Sequence, residues 1–152
     1  MKRIHRGMAL ALSAVLLLLT AAPSAWAAEN TITIETAQDL AELSKKCSLD
    51  SWPQGKTVLL AGDIDLTGTD FRPIPTFGGT FDGQGHTISG LLVTGNGNVQ
   101  GLFRYVQVGG VVQDLSVRGT VSPTDFRDTA GGIVGSNRGQ LLRCTFQGTV
   151  KG

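Results

Sequence analysis

The chain has 152 residues, 41% hydrophobic and 16% charged, with 13 basic residues against 12 acidic ones and a formal net charge of +1. A balance so near neutrality excludes the strongly basic surface that nucleic acid or an anionic membrane selects. Twenty-one glycines point to many turns, and two cysteines are too few for a disulfide framework.

Residues 1–27 have the three parts of an export signal. Lys2, Arg3 and Arg6 form a basic start, Met8 to Leu19 is an almost wholly apolar run, and Ala25-Trp26-Ala27 supplies small residues for a signal peptidase. Cleavage is expected after Ala27. The apolar run is short for a membrane span, and no later run approaches the roughly 20 apolar residues that a spanning helix requires. The mature chain is therefore expected to be exported and soluble. The signal takes three of the 13 basic residues, which leaves 10 against 12 acids and a mature net charge of −2. About 125 residues remain, enough for one domain with a modest core. Export permits a disulfide between Cys47 and Cys144, and each cysteine also has a plain packing role.

Residues 28–55 read as a capping helix followed by a loop. In "TAQDLAELSKKC" Thr36 stands at the N-cap, Asp39 takes the capping-box position, and Leu40, Leu43 and Cys47 follow on one face. Acids early (Glu35, Asp39, Glu42) and lysines late (Lys45, Lys46) suit the helix dipole. Asp50 to Gly55, with Trp52-Pro53 inside it, reads as a turn or loop.

From residue 56 onward the chain is short apolar runs broken by glycine. A pattern of apolar-x-x-apolar-x-apolar-x-Gly occurs in "AGDIDLTG" (61–68), "ISGLLVTG" (88–95), "VQDLSVRG" (112–119) and "LLRCTFQG" (141–148). The glycine-led pairs "GTF" at Gly79, "GLF" at Gly101 and "GIV" at Gly132 recur as well. Such a unit cannot bury its own apolar face, so copies must stack. The expected fold is all-β, a right-handed parallel β-helix of about four rungs. Its inward columns are Ala61/Ile88/Val112/Leu141, Ile64/Leu91/Leu115/Cys144 and Leu66/Val93/Val117/Phe146. The terminal glycine of each copy is expected to supply the backbone angles of a corner, and the helix to cover the N-terminal end of the coil.

The candidate chemistry is sparse. Asp82-Gly83 is a turn dipeptide before His86, so Asp82 is expected to bond the turn backbone and His86 to face outward. As a base and an acid the two would need a second positioned group and a pocket. Asp63 and Asp65 alternate with Ile64 and Leu66, which places both carboxylates outside, roughly 7 Å apart. That separation suits a solvated face, a hard-cation site with Asp70, or paired carboxylates of an inverting glycosidase. Cys144 reads as a small buried hydrophobe, and Asn137 in "GSNRG" as a left-handed corner. Arg104, Arg118, Arg127, Arg138 and Arg143 read as a mixed surface, matched in number by acids. No catalytic, cofactor-binding or metal-binding residue is assigned.

The succession of "DIDL", "FDGQGHTI" and "GGIVGSN" between Val58 and Val150 resembles bacterial secreted or surface proteins with GLUG-motif repeats. The resemblance implies a parallel β-helical stalk or adhesion module, with no catalytic residue attached to the repeat. The expected function is a noncatalytic exported module for surface display, adhesion or binding of host or matrix glycans or proteins. No cofactor, nucleic acid or membrane span is expected. Arrays of this kind continue for many repeats, so a further unit is expected after Gly152, and the open C-terminal rung is a candidate edge for self-association. The alternative is a polysaccharide lyase or glycoside hydrolase built on the same fold, which fold analogy alone supports. Such an enzyme needs long loops around a groove. The longest loops expected here lie around Thr94 to Gln100 and Pro123 to Thr129.

Overall fold

The structure is a computed structural model that describes residues 29–125 and 129–152. The expected export signal lies outside these residues. The chain divides into two compact units, residues 1–31 and residues 32–152, and the second holds the fold described below.

That fold is a parallel β-helix. After β1 (Thr31–Ile34) and α1 (Ala37–Lys46), the first coil runs through β2 (Thr57–Leu60), β3 (Ile64–Asp65) and β4 (Ile74–Phe77). The second has β5 (Thr80–Asp82), β6 (Thr87–Val93), β7 (Val99–Gln100) and β8 (Phe103–Val106). The third repeats this with β9 (Val111–Gln113), β10 (Ser116–Val121), β11 (Thr129–Ala130) and β12 (Val134–Asn137); the fourth comprises β13 (Gln140–Leu142) and β14 (Thr145–Val150). Equivalent strands stack as four sheets: A is β1-β2-β5-β9-β13, B is β14-β10-β6-β3, C is β12-β8-β4 and D is β11-β7.

The register corrects the expected columns. Val112 stands on Leu141 and Val117 on Phe146, as the repeat predicts. Ile64, however, pairs with Ile88 and not Leu91, and Ile88 pairs with Val117 and not Val112. The observed columns are Val58/Phe81/Val112/Leu141 and Ile64/Ile88/Val117/Phe146. Ala61 is exposed. The cause is the turn joining sheets A and B, a step of seven residues from Phe81 to Ile88 but five from Val112 to Val117 and from Leu141 to Phe146, so "ISGLLVTG" repeats the apolar spacing of "VQDLSVRG" from a different place in the coil. The pairing of β6 with β10 shifts between Val117 and Gly119, and Gly90, at φ 68°, takes up the bulge. The "GTF" unit also differs from its supposed copies. Thr80 and Phe81 lie in sheet A, whereas Phe103 of "GLF" pairs with Val134 of "GIV" in sheet C.

Corners are made differently from the expected rule. Gly68 has the left-handed angle foreseen for it, at φ 73°. Gly119 and Gly148 instead sit in mid-strand, stacked on each other where neighbouring backbones come closest. Among the described residues the left-handed non-glycine ones are Gln84, Asp114 and Arg143, at φ 50°, 50° and 52°, in the turns joining sheets A and B.

Inside the coil Phe77, Phe81 and Phe103 are fully buried, with ring centroids 5.2 to 6.0 Å apart. Ile74, Ile88, Leu102, Val112 and Leu115 continue the core. At the N-terminal end Ile34, Leu40, Leu43 and Cys47 join the same cluster, so α1 covers the first coil as expected. The Ser44 hydroxyl fastens it by donating to the carbonyls of Arg72 (2.9 Å) and Pro73 (3.2 Å). The capping box forms: Asp39 N–H donates to Thr36 Oγ1 (3.1 Å), and Asp39 Oδ2 accepts from Thr36 N–H (2.9 Å). Thr36→Ala is expected to lose about 1 kcal/mol of unfolding free energy, read from the urea midpoint. In the fourth coil Leu141, Leu142 and Val150 are 36%, 37% and 42% exposed, and β13 and β14 are the outermost strands of their sheets among the described residues.

Candidate functional site

The stretch Gly78 to Val93 holds β5, the turn joining sheets A and B, and β6. Asp82 is bound to that turn: its Oδ1 accepts from Gln84 N–H (2.8 Å) and its Oδ2 from Gln113 Nε2 of the next coil (3.1 Å). His86 is half-buried and points Nδ1 at Asp63 Oδ1 of the coil before, 3.4 Å away. The same Asp63 oxygen accepts from Thr87 N–H at 2.9 Å, so it ties the first coil to the second. Asp65 Oδ1 accepts from Thr67 N–H (2.9 Å), and hydrogen bonds from Thr67 hold its carboxyl below the usual range. The structure thus brings Asp63 and His86 together, a pairing sequence reasoning missed because the repeat was registered three residues out. Asp82 belongs to the other side of the turn. Among the described residues no group of three or more His, Cys, Asp or Glu is positioned to hold a metal ion.

Asp114 and Arg143 occupy equivalent corners of successive coils and form a two-pronged pair, Arg143 Nε to Asp114 Oδ1 at 2.6 Å and Nη2 to Oδ2 at 2.9 Å. That hydrogen-bonded guanidinium keeps the Asp114 carboxyl below its ordinary range. Asn137 is not a left-handed corner. It ends β12 and accepts from Gly139 N–H through Oδ1 (2.9 Å), an Asx turn that does the same work with the side chain.

The cysteines are free thiols. Cys47 lies under α1, where burial pushes its thiol up to about 12. Cys144 is three coils away, its thiol donating to the carbonyls of Val112 and Leu142 (both 3.4 Å). Both are fixed in packing roles, and burial also raises the Cys144 thiol.

The concave surface lies elsewhere. A groove of about 970 Å³ runs between α1, the β3–β4 link and the β6–β7 link, with Lys45, Asp70, Arg72 and Arg104 on its walls. A second, of about 530 Å³, adjoins it, with Ser48, Pro75 and Arg104 as a common wall, and lies across sheet C past Tyr105 to Arg138. The link that shapes the first groove, residues 66–73, is longer than the 94–98 link to which the sequence had pointed, and the 122–128 link is only partly described. The arginines also depart from expectation. Arg127 lies outside the described residues. Among the described ones only Arg143 has a carboxylate partner, while Arg72, Arg104 and Arg138 all line the adjoining grooves. Counting acids against bases could not reveal this, because pairing depends on which coil and face each residue occupies.

Comparison with known proteins gives one informative similarity. The chain is 30% identical over 141 residues to Halomucin of Haloquadratum walsbyi (strain DSM 16790 / HBSQ001), a match covering 82% of this chain and 2% of that protein. It thus spans a small fraction of the relative's length. No family model and no solved structure matches the chain. No helix among the described residues is long and apolar enough to cross a membrane.

Proposed function

We propose that this chain is a noncatalytic, exported β-helical repeat module that serves surface display, adhesion or the binding of host or matrix glycans or proteins. The observation that carries the reading is where the candidate catalytic side chains spend their oxygens. Asp63, Asp65 and Asp82 each accept a main-chain N–H and hold a corner or join two coils. Both Asp82 oxygens are engaged in this way, and none of the three carboxylates lines either groove, where a general base would have to meet a substrate's proton. The mucin name of the similar protein supports an extracellular setting. The order of motifs that resembles GLUG-repeat surface proteins supports the same assignment. Self-association through β13 and β14 belongs to this reading, since outermost strands with exposed Leu141 and Val150 invite a further strand.

The test is a glycan-binding and polysaccharide-degradation screen on the exported chain, with Asp63→Ala/Asp65→Ala and Asp82→Ala variants beside it and circular dichroism to verify folding. No release of reducing ends is expected from any polymer. Release by the wild type that either folded variant abolishes would replace the module with a carbohydrate-active enzyme.

A further inference from the structure

We propose that the two adjoining grooves along sheet C bind an anionic polysaccharide, a sugar chain bearing carboxylate or sulfate groups at intervals, through Arg72, Arg104 and Arg138. The inference rests on the glycan-binding reading above and names its site and ligand class.

The three guanidinium groups come from three successive coils. In the register of sheet C, Ile74, Phe103 and Val134 are equivalent. Arg72 lies two residues before that level, Arg104 one after it and Arg138 four after it. Arg104 lies within β8, while Arg72 precedes β4 and Arg138 follows β12, so along the strand direction the three backbone positions fall in the order Arg72, Arg104, Arg138, one from each coil. Like charges offered one after another by successive coils match a linear polymer with repeating anions better than one compact ion. Grooves of about 970 and 530 Å³ that share a wall also exceed what a single small anion fills.

The chemistry of the walls agrees. Arg104 is held in place by its Nε–H, which donates to Val99 O (2.9 Å), and by the Tyr105 ring 5.9 Å away. No described carboxylate pairs with any of the three arginines, and guanidinium is the donor that grips carboxylate and sulfate oxygens by twos. Lys45 adds a fourth cation, shared with Glu42 at 3.3 Å. Asp70 and Asp50 are the acids on the walls, so with Lys45 matched by Glu42 the three arginines leave an excess of one positive charge on a mature chain whose net charge is −2. Tyr105, 40% exposed, offers a ring face for a sugar, and Ser48 and Ser136 offer hydroxyls. A nucleic-acid track would require denser cations and a stacking ring for each successive base, where these walls carry Phe71 and Tyr105 alone.

The experiment measures binding of the exported chain to polygalacturonate, dextran sulfate, neutral dextran and single-stranded DNA by affinity electrophoresis and calorimetry. Binding to polygalacturonate or dextran sulfate is expected to weaken about tenfold between low and physiological salt, as charge-driven contacts do. The stronger of those two polymers tells carboxylate from sulfate. The triple variant Arg72→Gln/Arg104→Gln/Arg138→Gln is expected to lose at least about tenfold in affinity, and Arg118→Gln on sheet B to lose nothing. Circular dichroism separates lost binding from lost fold, and Arg104→Lys, which keeps the charge and removes the fork, should fall between. Equal binding of neutral dextran, no binding of either anionic glycan, tighter binding of DNA, or an unchanged triple variant would each overturn the proposal. Neutral binding alone would leave the wider module reading intact. Polymer cleavage would remove the noncatalytic reading while leaving this strip in place.

Discussion

Phe103→Ala is expected to cost about 3–5 kcal/mol of unfolding free energy, the range for deleting a buried aromatic ring and leaving a cavity. Phe103 has no exposed surface, and its ring meets Phe77 of the first coil at 5.5 Å and Phe81 of its own coil at 5.2 Å. Phe77 and Phe103 line sheet C while Phe81 lines sheet A, so the three rings span the interior between two walls. No other side chain can fill that space without moving a strand held on both sides. A domain of this size has a total stability of about 5–15 kcal/mol, so the variant forfeits a large share. In a stack where each coil contacts only its neighbours, the loss also weakens the link between the first and second coils. Urea unfolding followed by circular dichroism should show an earlier and less cooperative transition. Phe103→Leu should cost less, and Val108→Ala, at a position 80% exposed, should stay within about 0.5 kcal/mol of the parent. Near-equal midpoints for Phe103→Ala and Val108→Ala would refute this account of the core.

The stacked coil was legible in the sequence because its physics is repetitive. Apolar residues recur where a coil must bury them, and Leu40, Leu43 and Cys47 mark one helix face beside a capping box that forms as written. Register between the first two coils was not legible. The step from sheet A to sheet B is six residues in the first coil (Val58 to Ile64), seven in the second (Phe81 to Ile88) and five in the third (Val112 to Val117), and β6 adds a bulge at Gly90, so stretches with the same apolar spacing come from different places in the coil. The candidate site was hidden for the same reason. Arg72, Arg104 and Arg138 are far apart in the chain and share no motif, and only the pairing of β4, β8 and β12 aligns them. The pair of Asp63 with His86 likewise depends on the true step between coils.

The second large effect is expected at a glycine that sequence reasoning placed at a corner and the structure places inside a strand. Gly119 lies in the middle of β10, between β6 and β14. A Cβ built there would collide with the carbonyl oxygen of Leu91 and stand 2.6 Å from the Leu91 Cβ. Neither neighbour yields easily, because Leu91 is buried and both backbones belong to paired strands. Gly119→Ala is therefore expected to cost about 3 kcal/mol, at the upper end of overpacking penalties. Gly148→Ala meets the main chain of Gly119, but β14 is the outermost strand of its sheet among the described residues and can move outward, so its cost should be smaller. Gly68→Ala sets the scale for conformation without collision. Its φ is 73° with open space around it, and an L-residue there costs about 1–2 kcal/mol. The urea midpoints of the three variants should rank Gly119→Ala as most destabilised. A Gly119→Ala no worse than Gly68→Ala would mean that the second and third coils stack more loosely than this close approach requires, and the ordered succession of Arg72, Arg104 and Arg138 along the coils would lose the stacking on which it depends.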